Sequence, residues 1–141
     1  SALAFLRNIN RVDPNRIIVA GHGMGGVVAQ HVAALDESVI GLCSIAGLAC
    51  FESLAVSEQY AWSHEDFLPN VLKYYDLPEL LAEWKRPVLL INPLDACKRP
   101  LNEPARRRIF APALAANPRL QVVETERPAK AVKAWVEKLI Q

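Results

Sequence analysis

Apolar residues along the chain fall into two alternating patterns: short unbroken runs, and longer stretches in which they recur at helical spacing. Residues 2–9 place Leu3, Leu6 and Phe5 on one side of a helix, and Val12-Asp13-Pro14-Asn15 then carries turn chemistry. Ile17–Ala20 is a continuous apolar run, the pattern of a buried parallel strand. A glycine cluster turns the chain into a helix over Val27–Leu35, whose small residues allow close packing, and Asp36-Glu37-Ser38 ends it. Val39–Ala46 reads as a second buried strand, Val88–Ile91 as a third and Leu120–Val123 as a fourth. Glu103–Ala116 reads as a helix that Pro112 kinks or restarts. The last helix, Ala129–Ile140, sets Val132, Trp135, Val136 and Leu139 at i, i+3, i+4 and i+7. Residues 47–86 form a cap-like excursion of short helices rich in aromatics and prolines, with Pro78–Trp84 a helix carrying proline in its first turn. Strands alternating with helices predict one α/β domain over residues 1–141, built on a mostly parallel sheet of about four strands with flanking helices.

Charge and cysteine content narrow the function classes. A formal net charge of +1 gives no electrostatic footprint for nucleic acid or an anionic membrane, and Arg106-Arg107-Arg108 reads as a solvated helix face. Three scattered cysteines with no CxxC do not form a disulfide framework, so a reducing, cytoplasmic setting is expected. The segment Ser1–Asn10 lacks the features of a signal peptide, and the longest apolar run, 39–51, is too short to span a bilayer. His22, His31 and His64, with the three cysteines, lack zinc-ligand spacing, and no metal or cofactor is expected.

The most informative segment is Arg16–Gly26, R-I-I-V-A-G-H-G-M-G-G, a strand running through a glycine cluster into a helix. Its frame, Gly21-His22-Gly23-Met24-Gly25, has the layout of the nucleophile elbow G-x-S-x-G. Together with 11–17 (R-V-D-P-N-R-I), 67–78 (F-L-P-N-V-L-K-Y-Y-D-L-P) and 86–95 (R-P-V-L-L-I-N-P-L-D), it makes the chain resemble the C-terminal half of an α/β-hydrolase. The resemblance is closest to bacterial esterase, acetylxylan-esterase-like and dienelactone-hydrolase-like members. It implies a truncated three-layer α/β-hydrolase-like sandwich whose four strands correspond to the family's fifth to eighth.

The resemblance also implies where a Ser…Asp…His triad belongs. The nucleophile position is Gly23, which has no side chain, and the acid position is Asp95. The histidine belongs after the last strand, where 124–128 reads E-T-E-R-P. A triad hydrolase is therefore excluded for this chain. The expected role is a non-catalytic scaffold that binds a partner, or a small apolar or anionic ligand at the elbow near His22 and the Met24 amide. The alternative is an esterase-type hydrolase with a substitute site using Asp95, Cys97 or His22, or one completed by a partner chain. Gly21-His22-Gly23-Met24-Gly25-Gly26 also satisfies G-x-G-x-x-G, but the acidic residue needed about 20 positions on is absent from Ser44-Ile45-Ala46-Gly47. Cys50 and Cys97 lie near strand ends as weaker nucleophile candidates, and the aromatics of 60–75 build a cap core or line a pocket. A sheet with these four strands alone leaves an apolar face and the edge strand Ile17–Ala20 uncovered, which predicts a twofold homodimer.

Overall fold

A computed structural model describes residues 2–141. Four parallel strands, β1 (Ile17–His22), β2 (Val39–Ile45), β3 (Val88–Ile91) and β4 (Leu120–Val123), form one sheet in the order β1-β2-β3-β4. Around them lie α1 (Ala2–Arg7), α2 (Met24–Leu35), α3 (Glu52–Val56), α4 (Leu77–Glu83), α5 (Glu103–Ala116) and α6 (Pro128–Ile140). The fold is α/β with an all-parallel sheet and flanking helices.

Sequential strand order has a direct consequence. Parallel crossovers share one hand, so every helix between neighbouring strands arrives on the same face. Ala29 and Ala33 of α2, Leu81 of α4, and Phe110 and Ala113 of α5 accordingly share a core with Val39, Leu42, Val88, Leu90 and Leu120. The helix after the last strand is free of that constraint. α6 covers the opposite face, packing Trp135, Val132 and Leu139 against Cys43, Leu89 and Ile91. Strands β2 and β3, apolar on both sides, lie in the middle as their composition requires.

Three expectations differ from the structure. Ile17–Ala20 is the edge strand expected but not a buried one: within β1 only Ile17 is buried, and Ala20 and His22 are exposed. A continuous apolar run reports low polarity, not two covered faces. The uncovered apolar surface is also narrower than a whole sheet face, because α6 closes the centre of that face over β2 and β3. The exposed apolar residues are scattered rather than joined into one face: Val28 and Leu35 on the outer face of α2, 58% and 86% exposed, Phe5 on α1, and Val56, Tyr74 and Ile140 elsewhere. Pro112 does not restart a helix, since α5 runs unbroken through it.

Residues 47–86 contain α3, α4 and short 3-10 turns at His64–Asp66 and Val71–Lys73. They enclose a second core of Val27, Leu48, Phe51, Leu54, Trp62 and Leu77. Asp76 anchors this region: its carboxylate accepts from the Phe51, Glu52 and Leu77 amides, capping the starts of α3 and α4 together. Asn117, fully buried, joins three segments. Its Nδ2 donates to the Trp84 and Arg86 carbonyls at 2.6 and 3.1 Å, and its Oδ1 accepts from the Arg119 amide at 3.0 Å.

Candidate functional site

The turn between β1 and α2 is a single residue, Gly23, at φ 58° and ψ −128°. An L side chain is strained in this conformation, so glycine relaxes the turn and at the same time leaves it without a nucleophile. The Gly23 amide donates to the Ile45 carbonyl at 2.8 Å, tying the turn to the end of β2, and its own carbonyl accepts from the Gly26 amide at 3.0 Å. A Cβ on Gly23 would have no heavy atom within 4 Å, so the position opens onto free space. Gly26 serves a different need. A Cβ there would lie 2.1 Å from Ser44 Oγ, so glycine lets α2 settle onto β2.

The residues flanking the turn divide their roles. His22 ends β1 and is exposed. The Met24 side chain packs into the core around Val27 and Phe51, so only its backbone faces the turn. As the first residues of α2, Met24 and Gly25 present amides without carbonyl partners one turn back, as any helix start does.

Asp95 follows β3, but its carboxylate is occupied by its own loop. Oδ1 accepts from the Cys97 and Arg99 amides at 2.8 and 2.9 Å, and Oδ2 accepts from Arg99 Nε at 3.2 Å. The side chain thus organises the 95–99 turn, in which Lys98 takes φ 57° and sits 5.0 Å from the Trp62 ring. Trp62 Nε1 donates to the Asp95 carbonyl at 2.9 Å, fixing the same loop to the excursion.

The histidines are engaged elsewhere. His31 Nδ1 and Nε2 lie 2.8 Å from the Val27 carbonyl and the Tyr75 hydroxyl, bracing α2 against the excursion. In the neutral ring, Nδ1–H donates to the carbonyl and Nε2 accepts from the tyrosine. His64 Nε2 pairs with the Tyr60 hydroxyl at 2.8 Å, within a ring cluster completed by Phe67.

Cys50, Cys97 and Asp95 border a common cleft of about 890 Å³. Cys50 is buried, and desolvation pushes its thiol up, away from the thiolate that nucleophilic chemistry needs. Burial likewise raises the Cys43 thiol to about 11. Cys97 Sγ donates to the Gln59 carbonyl at 3.2 Å. Among the described residues, no group of three or more His, Cys, Asp or Glu side chains is placed to hold a metal ion. No helix among them is long and apolar enough to cross a membrane.

A second cleft, of about 640 Å³, lies at the carboxyl ends of β2, β3 and β4, between the segments that leave β3 and β4 and the start of α5. Arg106 reaches it and pairs with Glu124 at 3.0 Å. The sequence reading grouped Arg106 with Arg107 and Arg108 as one solvated face. The structure separates them: Arg107 and Arg108 are exposed, whereas Arg106 points inward. The signal was available, because Arg106, Phe110 and Ala113 stand at i, i+4 and i+7, and the latter two are core residues. No protein-family model matches the chain, and no curated protein matches it.

Proposed function

We propose that this chain is an α/β-hydrolase-like unit without a working triad, and that it serves as a scaffold binding a partner or a small ligand. One observation carries this reading. A strand turns into a helix at Gly23, which has no side chain, while Asp95, at the acid position the resemblance implies, has its carboxylate occupied by its own loop. A general base needs a carboxylate that can orient it, and the chain after β4 carries no histidine to be oriented. The small apolar or anionic ligand of this reading meets the amides at the start of α2 beside Gly23.

Hydrolysis of short-chain nitrophenyl esters tests the proposal, with Asp95→Ala and Cys97→Ala beside the parent. Rates equal to buffer support it. Turnover that either substitution abolishes overturns it in favour of a hydrolase with a substitute site.

A homodimer is the companion reading. The unpaired edge of β1 favours it by offering strand pairing, and the exposed Val28 and Leu35 on the outer face of α2 add apolar surface. Light scattering on the eluting chromatographic peak decides it, and a stable monomer at high concentration contradicts it.

A further inference from the structure

We propose that the cleft at the carboxyl ends of β2, β3 and β4 binds small amphipathic carboxylates, with the Arg106 guanidinium taking the carboxylate in place of Glu124. The site uses neither the Gly21–Gly26 turn nor Asp95.

The two members of the Arg106–Glu124 pair are unequally placed. The Arg106 side chain is 25% exposed and Glu124 is 64% exposed. The cation is therefore the fixed member, rooted in the first turn of α5, and the acid is a solvated rim group that can swing away. Glu124 Oε2 meets one of five guanidinium N–H donors, at 3.0 Å. A planar guanidinium recognises carboxylates through paired N–H bonds, and the amino end of α5 adds favourable potential for an anion.

The remainder of the cleft suits an apolar body. Pro93, Leu94, Pro100 and Leu101 form its walls. The Leu94 wall is held on both sides: its amide donates to the Gly47 carbonyl, its carbonyl accepts from the Ala49 amide, and it bridges to Pro100. The floor is also fixed. Asn92 grips Thr125 twice, donating to its carbonyl at 2.8 Å and accepting from its amide at 2.9 Å. Ala46 and Asn92, the residues leaving β2 and β3, both take φ 50° and both line the cleft. Non-glycine residues in this conformation are sparse, and two on the wall of one cavity mark a backbone shaped at a cost to the fold. A pre-formed cleft spares a ligand the ordering cost of binding. Glu126, exposed on the rim, opposes an anion, but as a solvated group it is screened far more than the half-buried Arg106.

The test is a nuclear magnetic resonance titration of the full chain with hexanoate, hexanamide and hexylammonium. Hexanoate is expected to give saturable shifts at the Ala46, Leu94 and Thr125 amides in the millimolar range, and hexanamide to bind about tenfold more weakly. Glu124→Gln frees the guanidinium and tightens hexanoate binding. Arg106→Gln weakens it by about tenfold or more, and Arg106→Lys, which keeps the charge without the fork, falls between. If Arg106→Gln does not fold, the order of the parent, Arg106→Lys and Glu124→Gln still decides the matter. The proposal fails if hexanoate saturates neither the parent nor Glu124→Gln. It also fails if hexanamide or hexylammonium binds as well as hexanoate, or if hexanoate binding ignores residue 106.

Discussion

Substituting alanine at Gly23 and at Gly26 separates two kinds of glycine requirement within one turn. At Gly23 a Cβ meets nothing within 4 Å, so packing does not resist it, but φ 58° with ψ −128° does. Holding an L residue in such a region costs about 1–3 kcal/mol. Restricting the unfolded chain returns about 0.4–1 kcal/mol. The net expectation for Gly23→Ala is a loss of about 0–2.6 kcal/mol, centred on about 1.3 kcal/mol. At Gly26 the backbone is ordinary helix, and the cost is contact: the new Cβ falls 2.1 Å from Ser44 Oγ and 3.1 Å from its Cβ. Overpacking of this kind costs about 1–3 kcal/mol. The distinguishing signature is coupling. Ser44→Ala should relieve part of the Gly26→Ala loss, with an interaction energy of about 0.5 kcal/mol or more, and leave the Gly23→Ala loss unchanged. Urea unfolding followed by tryptophan fluorescence measures all of these stabilities. A stabilising Gly23→Ala would refute the backbone argument, and equal coupling of Ser44 to both positions would refute the division between them.

Three further outcomes follow from the packing and the titrating groups. Asn117→Ala leaves the Trp84 and Arg86 carbonyls without their buried donor, and should cost about 2–4 kcal/mol in urea unfolding. The Ser38 hydroxyl, with the Arg7 guanidinium, holds the Asp36 carboxyl at about 2, below its ordinary 3.8. A lowered folded value gives stability that is present above 3.8 and is lost as pH falls through about 2. Ser38→Ala and Arg7→Ala should therefore each flatten the acid limb of the stability profile in that window, and an unchanged limb contradicts the assignment. A thiol reagent on the native chain should modify Cys97 first, with Cys43 and Cys50, both buried, reacting only on unfolding. Peptide mapping reads the order.

The central strand β3 was legible because both its faces are covered. Val88–Ile91 begins and ends where its apolar run does, the edge strand Leu120–Val123 keeps its bounds although Gln121 is exposed, and the sequential α/β alternation fixes the layers. The ends of β1 and α2 were less legible. The strand continues through Gly21 and His22, and the helix begins at Met24 rather than Val27, because tertiary hydrogen bonds extend both elements into residues of weak propensity. The positions of Gly23 and Asp95 on the fold could be anticipated, but the capture of the Asp95 carboxylate by Cys97, Arg99 and their turn could not. That capture depends on Lys98 adopting a positive φ, which no local pattern announces. Arg106 was hidden by its neighbours, since a triplet of arginines reads as one surface until helical phase is applied to each.

The account rests on the elbow and the loop ends carrying no activated nucleophile. Intact-mass measurement tests this most directly, after the native chain is incubated with an excess of a nitrophenyl acetate and quenched in acid. The predicted result is only slow, pH-dependent acylation of exposed lysines and of the accessible Cys97 thiol, at a rate unchanged by Asp95→Ala. A rapid single acyl adduct whose rate falls in Asp95→Ala would contradict it and assign the chain a working acyl-transfer site.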